Sequence, residues 1–78
     1  MKVKVELFAK FRDVLGEYVE IDGVRTVKDV KERLKDLLSR EGINDIPILV
    51  AVNGAYSKDD YEIKEDDEIV AFPPVSGG

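Results

Sequence analysis

Few residues in this chain could carry side-chain chemistry. Its 78 residues include no cysteine and no histidine. That absence excludes a disulfide framework, a Cys or His zinc site, a Cys or Ser-His nucleophile system and a histidine proton shuttle. Carboxylates are plentiful over residues 58–68, where Asp59, Asp60, Glu62, Glu65, Asp66, Asp67 and Glu68 cluster. They lack the fixed alternating spacing and central glycine of a calcium-binding EF-hand loop, so they read as a solvated, partner-facing surface, with no metal site. What stands apart is the end of the chain, Phe72-Pro73-Pro74-Val75-Ser76-Gly77-Gly78. Pro73 and Pro74 have no N–H to donate and hold φ near −65°, so they stop a strand and start an extended segment. Gly77 and Gly78 have no Cβ, which lets the last backbone atoms and their free carboxylate pass through a channel too narrow for any other residue. The competing reading of the two glycines is an ordinary frayed end.

Composition bounds the partners. A chain of this length makes one domain with one small core. Its formal charge of −5 at pH 7 argues against nucleic acid, which needs a basic patch, and suits a basic protein partner. No apolar segment approaches the length of a membrane span, and the N-terminus is a charged, alternating strand instead of a signal peptide. A cytoplasmic location is expected. Charged residues make up 37% of the chain and glutamine is absent, a profile compatible with a heat-adapted source.

The elements that must position the tail follow from periodicity. Val3, Val5 and Leu7 alternate with Lys2, Lys4 and Glu6, the period of a half-buried strand. Phe8 breaks that pattern and reads either as one exposed aromatic among many or as a partner contact. Phe11, Val14 and Leu15 predict a helical turn over residues 10–15, closed by Gly16, with Arg12 pointing outward. A second strand follows over 18–21, and Asp22-Gly23 supplies a turn. Thr26 opens the long helix; Asp29 stands where a capping box would place Glu, and this shorter acid is expected to reach only the helix dipole. Val27, Val30, Leu34, Leu37 and Leu38 form its apolar stripe, and Gly42 is the expected C-terminal cap. Residues 48–52 are an apolar run, expected to be a central strand covered on both faces. Asn53-Gly54 predicts a type I′ hairpin turn into a strand beginning at Ala55 and Tyr56. Ile63 is the one apolar anchor of the acidic stretch, and residues 69–72 read as a buried final strand. A hairpin, a helix across a mixed sheet and a last strand beside the first make the economical arrangement. The expected class is therefore α+β, a ubiquitin-like β-grasp with four to five strands and one long helix, spanning 1–72. An extended, flexible tail is expected over 73–78.

Several segments together resemble a known family. Val5-Glu6-Leu7-Phe8-Ala9 with Phe11-Arg12 and Gly16, Val50-Ala51-Val52-Asn53-Gly54, Asp66-Asp67-Glu68-Ile69 and, above all, Pro73-Pro74-Val75-Ser76-Gly77-Gly78 are similar to the small subunit of molybdopterin synthase. This is the MoaD family of sulfur carriers, related to the thiamin carrier ThiS and to ubiquitin-like modifiers. One departure is Asp66, where relatives often have glycine, which is expected to alter a turn.

The resemblance implies chemistry at the carboxylate of Gly78. A MoeB-type activating enzyme would use ATP to form an acyl adenylate, and a sulfur donor would convert it to a thiocarboxylate for delivery to a pterin precursor. The missing cysteine agrees, since no side chain can hold a persulfide. The chain itself would bind no cofactor and have no side-chain catalytic site. Val75, Ser76 and Gly77 would thread the partner's channel, and Pro73 and Pro74 would stiffen the root of the tail. Phe8, Arg12, Tyr56 and Phe72 occupy positions where the family meets its partners, although Phe72 could equally fill the core. The implied partners are a MoaE-type large subunit and the activating enzyme. The alternatives are a protein modifier joined through Gly78 to lysines of substrate proteins, and a carrier for thiazole synthesis.

Overall fold

The N-terminal alternation produces strand β1 (Val3–Leu7), whose odd residues are buried, in a computed structural model that describes residues 1–74. Val75, Ser76, Gly77 and Gly78, four of the expected tail positions, lie outside the described residues. Helix α1 (Ala9–Leu15) follows, seating Phe11 in the core and ending at Gly16, whose N–H donates to the Arg12 carbonyl at 2.9 Å. Strand β2 (Tyr18–Ile21) then returns antiparallel to β1, pairing Val5 with Val19.

Helix α2 (Val27–Arg40) is closed at both ends by its own sequence. At the start, the Thr26 hydroxyl accepts the Asp29 N–H at 3.3 Å, while the Asp29 carboxylate accepts the N–H groups of Thr26 at 3.0 Å and Arg25 at 2.9 Å. The box is complete, so the expectation that the aspartate reaches only the dipole is corrected. Its shorter arm suffices because the chain before Thr26 curls toward it, offering two donors. At the other end, Gly42 sits at φ +82°, its N–H donates to Ser39 and that of Ile43 to Leu38. This is a Schellman closure, which needs a left-handed residue after the helix. Between the caps, Val27, Val30, Leu34 and Leu38 are buried and Leu37 is half-buried. Each fully buried member contributes about 2 kcal/mol.

Strands β3 (Leu49–Val52), β4 (Ala55–Tyr56) and β5 (Ile69–Phe72) complete a five-stranded mixed sheet of order β2-β1-β5-β3-β4. Asn53 and Gly54 both take positive φ in the hairpin between β3 and β4, as a type I′ turn requires. Strand β5 runs parallel to β1 and antiparallel to β3, so the final strand occupies the middle of the sheet. This is the ubiquitin-like β-grasp. Its one long helix is α2, and the expected helical turn over 10–15 is the seven-residue helix α1.

The helices cover one face of the sheet. The expectation that β3 is the central strand and covered on both faces is therefore corrected: Val50 and Val52 are buried, whereas Leu49 and Ala51 are only half-buried. An apolar run here marks a strand whose second face is apolar but open. Asp66 is not among the positive-φ residues, so its turn accepts an aspartate in place of glycine without backbone strain. No helix among the described residues is long and apolar enough to cross a membrane.

Candidate functional site

The chain leaves the fold from the centre of the sheet. In β5, Ile69 and Ala71 turn to the core while Val70 and Phe72 face the open side. Pairing with β3 ends at Phe72, opposite Leu49, because Pro73 and Pro74 bring no donors. Pro73 is half-buried and Pro74 exposed. The Phe72 ring lies 5.9 Å from that of Tyr56 at an interplanar angle of 54°, a tilted geometry that suits aromatic quadrupoles. Phe72 is half-buried on the open face, paired with an exposed aromatic and outside the buried core.

Phe8 reaches the same end of the sheet by a corner. Its N–H donates to the Ala71 carbonyl at 3.2 Å, extending the β1–β5 ladder by one bond, and the next residue, Ala9, turns at φ +55° into α1. A left-handed alanine costs about 1 kcal/mol, and the small side chain keeps the strain low. The corner leaves Phe8 39% exposed beside the root of the tail. Arg12 belongs to this group through the backbone alone: its N–H donates to the Phe8 carbonyl at 3.4 Å, while its guanidinium turns to Glu17 at 3.5 Å. The structure thus brings Phe8, Tyr56 and Phe72 to the root of the tail and leaves Arg12 one helical turn away. Val75, Ser76, Gly77 and Gly78 lie outside the described residues.

The open face extends beyond Phe8, Tyr56 and Phe72. The strand registers align Tyr18, Glu6, Val70, Ala51 and Tyr56 in one row across all five strands. Leu49 and Phe72 form the adjoining row at the tail end. Tyr18 is 46% and Tyr56 76% exposed. The result is an apolar band framed by two tyrosines, with Glu6 the one charge set into it. The signal was present in the sequence: in a sheet with one covered face, alternate residues of an all-apolar strand must face outward.

Beside this face, Asp67 and Asp59 of the acidic stretch hold structural contacts. One Asp67 oxygen accepts the Tyr61 hydroxyl and the Lys64 N–H, both at 2.8 Å, and the other accepts the Asn53 amide at 2.9 Å. The Asn53 side-chain oxygen in turn accepts the Glu68 N–H at 2.9 Å. The Lys64 backbone donor above all, with the Asn53 and Tyr61 side chains, holds the Asp67 carboxyl below the usual carboxylate range, against a smaller opposing effect of burial. The bond to Asp67 raises the Tyr61 hydroxyl. Asp59 pairs with Lys31 at 2.7 Å, and its carbonyl accepts the Lys28 N–H in the first turn of α2. The loop thereby ties the β4–β5 connection to the hairpin on one side and to the helix on the other, with Ile63 buried beneath it.

A model of the ThiS family matches residues 5–78. The chain belongs to the ThiS family. Solved structures similar to this ThiS-family chain include archaeal modifier proteins and molybdopterin converting factor subunits. The crystal structure of SAMP1, a small archaeal modifier protein from Haloferax volcanii, is 32% identical over 100% of both chains, with a TM-score of 0.70. A candidate molybdopterin converting factor subunit 1 from Pyrococcus furiosus is 36% identical over 95% of this chain and 98% of its own, with a TM-score of 0.68. A chain from the complex of subunits 1 and 2 of molybdopterin-converting factor from Helicobacter pylori 26695 is 24% identical over 100% of both chains, with a TM-score of 0.62. That likeness bears on the fold alone. No match was found among curated proteins. The fold is that of a ThiS/MoaD-type ubiquitin-like sulfur carrier.

Proposed function

We propose that this chain is the sulfur-carrying small subunit of a molybdopterin synthase, with the carboxylate of Gly78 as its reactive group. The observation that carries the reading is the course of β5. The central strand runs beside an open aromatic face directly into Pro73-Pro74-Val75-Ser76-Gly77-Gly78, in a chain the family matches through its last residue. The 36% identity to the Pyrococcus furiosus protein supports the molybdopterin branch.

A carboxylate is a poor electrophile. A MoeB-type activating enzyme makes it reactive by attaching the adenylyl group of ATP to a Gly78 oxygen, releasing pyrophosphate. A sulfur donor then forms the C–S bond as AMP departs, leaving a thiocarboxylate, which is a good nucleophile near neutral pH. Once it is inserted into a MoaE-type large subunit, its sulfur bonds to the pterin precursor, and water then cleaves the bond between that sulfur and the Gly78 acyl carbon, leaving sulfur on the pterin and returning the Gly78 carboxylate. The chain contributes position: the glycines and Ser76 thread the channel, and Pro73 and Pro74 reduce the entropy lost on docking. Phe8, Tyr56 and Phe72, with Arg12 beyond them, give the partner enzymes a surface beside the root of the tail.

Intact mass after incubation with the activating enzyme, ATP and a sulfide source tests this. The mass rises by the difference between sulfur and oxygen; no gain with a competent activator refutes the reading. A protein-modifier role is favoured by a separate observation, the full-length 32% identity to SAMP1. It predicts covalent adducts through Gly78 that resist reducing agents on pull-down from cells. Thiazole synthesis is the third destination for the same sulfur, and co-purification with a thiazole synthase instead of a large subunit would identify it.

A further inference from the structure

We propose that a groove at the β2 end of the open face seats an arginine side chain of the protein that docks there. This rests on the reading of that face as the docking surface and adds the charge the partner must bring. The groove, about 280 Å³, is lined by Lys4, Glu6, Tyr18, Asp67, Glu68 and Val70. Three carboxylates (−3) against one ammonium (+1) leave −2 among these residues.

The three acids differ in their freedom. Asp67 is engaged by three donors. Among the described residues, the Glu6 and Glu68 side chains make no hydrogen bond and no ion pair, whereas Glu17 and Glu20 pair with Arg12 and Lys2. Glu6 lies in β1 and Glu68 immediately precedes the neighbouring strand β5, where Val5 pairs with Ile69 and Glu6 with Val70. The Tyr18 ring already accepts a cation: the Lys4 ammonium stands 4.2 Å from its centroid. That contact is exposed and weak, so Lys4 is a placeholder that an incoming group can displace. Two carboxylates beside an aromatic face match a guanidinium better than an ammonium, because its planar fork can meet both oxygens while it stacks on the ring.

Position makes the groove part of the docking footprint. The row Tyr18-Glu6-Val70-Ala51-Tyr56 crosses four strand spacings, about 19 Å at the usual separation. A standard interface buries about 800 Å² per partner, a patch wide enough to cover the row from end to end. A partner seated on Tyr56 and Phe72 therefore covers the groove, and leaves Glu6 buried without a counter-charge unless it supplies one.

The test measures binding of the full chain to the recombinant large subunit encoded by the same genome, by calorimetry at low and high salt. The double variant Glu6→Gln/Glu68→Gln is expected to raise Kd about tenfold and flatten the salt dependence. Lys4→Gln, which frees the ring, is expected to lower Kd about threefold. Glu41→Gln makes the same charge change beyond α2, on the covered side, and is expected to leave Kd within about twofold, since a remote exposed charge is screened. If the double variant binds like the wild type while Tyr56→Ala still weakens binding, the arginine seat is refuted and the docking face stands. If neither substitution matters, or no complex forms with the wild-type chain, both are refuted.

Discussion

Tyr56→Ala separates a docking residue from a structural one. Tyr56 is 76% exposed, and a tyrosine offers about 200 Å² in all. Roughly 50 Å² is thus covered in the free protein, worth about 1 kcal/mol at 25 cal/mol/Å². Its tilted pairing with Phe72 adds about 0.5 kcal/mol at an exposed site. The expected loss of stability is about 1.5 kcal/mol, a fall in melting temperature of about 9 °C for a domain this small. The remaining area of about 150 Å² is worth nearly 4 kcal/mol if a partner covers it, less about 1 kcal/mol for immobilising the ring. Docking should therefore weaken by about 3 kcal/mol, a rise in Kd of about 150-fold. Thermal melts and calorimetry with the large subunit measure the two effects on one preparation. A variant that melts as expected but binds within about threefold of wild type would refute the assignment of this face.

Asp67→Asn removes the charge and replaces one of the two acceptor oxygens with an NH2 donor, so either Asn53 or the Tyr61 and Lys64 pair loses its acceptor, and the β4–β5 connection should loosen. Because the folded-state pKa of Asp67 is lowered, its stabilisation is present above the unfolded value near pH 4 and is lost as pH falls through the folded pKa. Urea midpoints should therefore differ between variant and wild type at neutral pH and converge in acid. Gly42→Ala should cost about 1 kcal/mol through φ +82° alone, since an added Cβ meets nothing within 4 Å; a stability unchanged in denaturant titration would contradict the Schellman closure. Thr26→Ala should cost about 1 kcal/mol by opening the capping box. Hydrogen exchange of the Asp29 amide, which loses its acceptor, is the direct readout.

The body of the fold was legible because its local signals agree. Thr26 and Gly42 bracket one apolar stripe, Asn53-Gly54 fixes one hairpin, and β1 alternates without interruption. Residue type alone misleads where one-dimensional hydrophobicity meets a three-dimensional choice. The run at 48–52 announces an inner strand, but only the placement of both helices on one side decides that Leu49 and Ala51 stay half-open. The reach of the Asp29 carboxylate depended on the curl of the preceding backbone, which residue type does not encode. Of the candidate site, Phe8, Tyr56 and Phe72 were legible from the resemblance. The contribution of Tyr18, Glu6 and Val70 needed the strand register, because these residues come from three separate segments.

Pairing the first strand with the last in parallel also sets how the molecule bears load. Val5 lies opposite Ile69 and Leu7 opposite Ala71, so tension applied between the two chain ends pulls β1 and β5 in opposite directions along their shared ladder. Its hydrogen bonds then resist together in shear, whereas peeling would break them one at a time. A cargo tugged through the C-terminus should leave the body folded up to a high rupture force. Single-molecule stretching from the ends, compared with stretching across the β1–β2 hairpin, would register that difference as mechanical anisotropy.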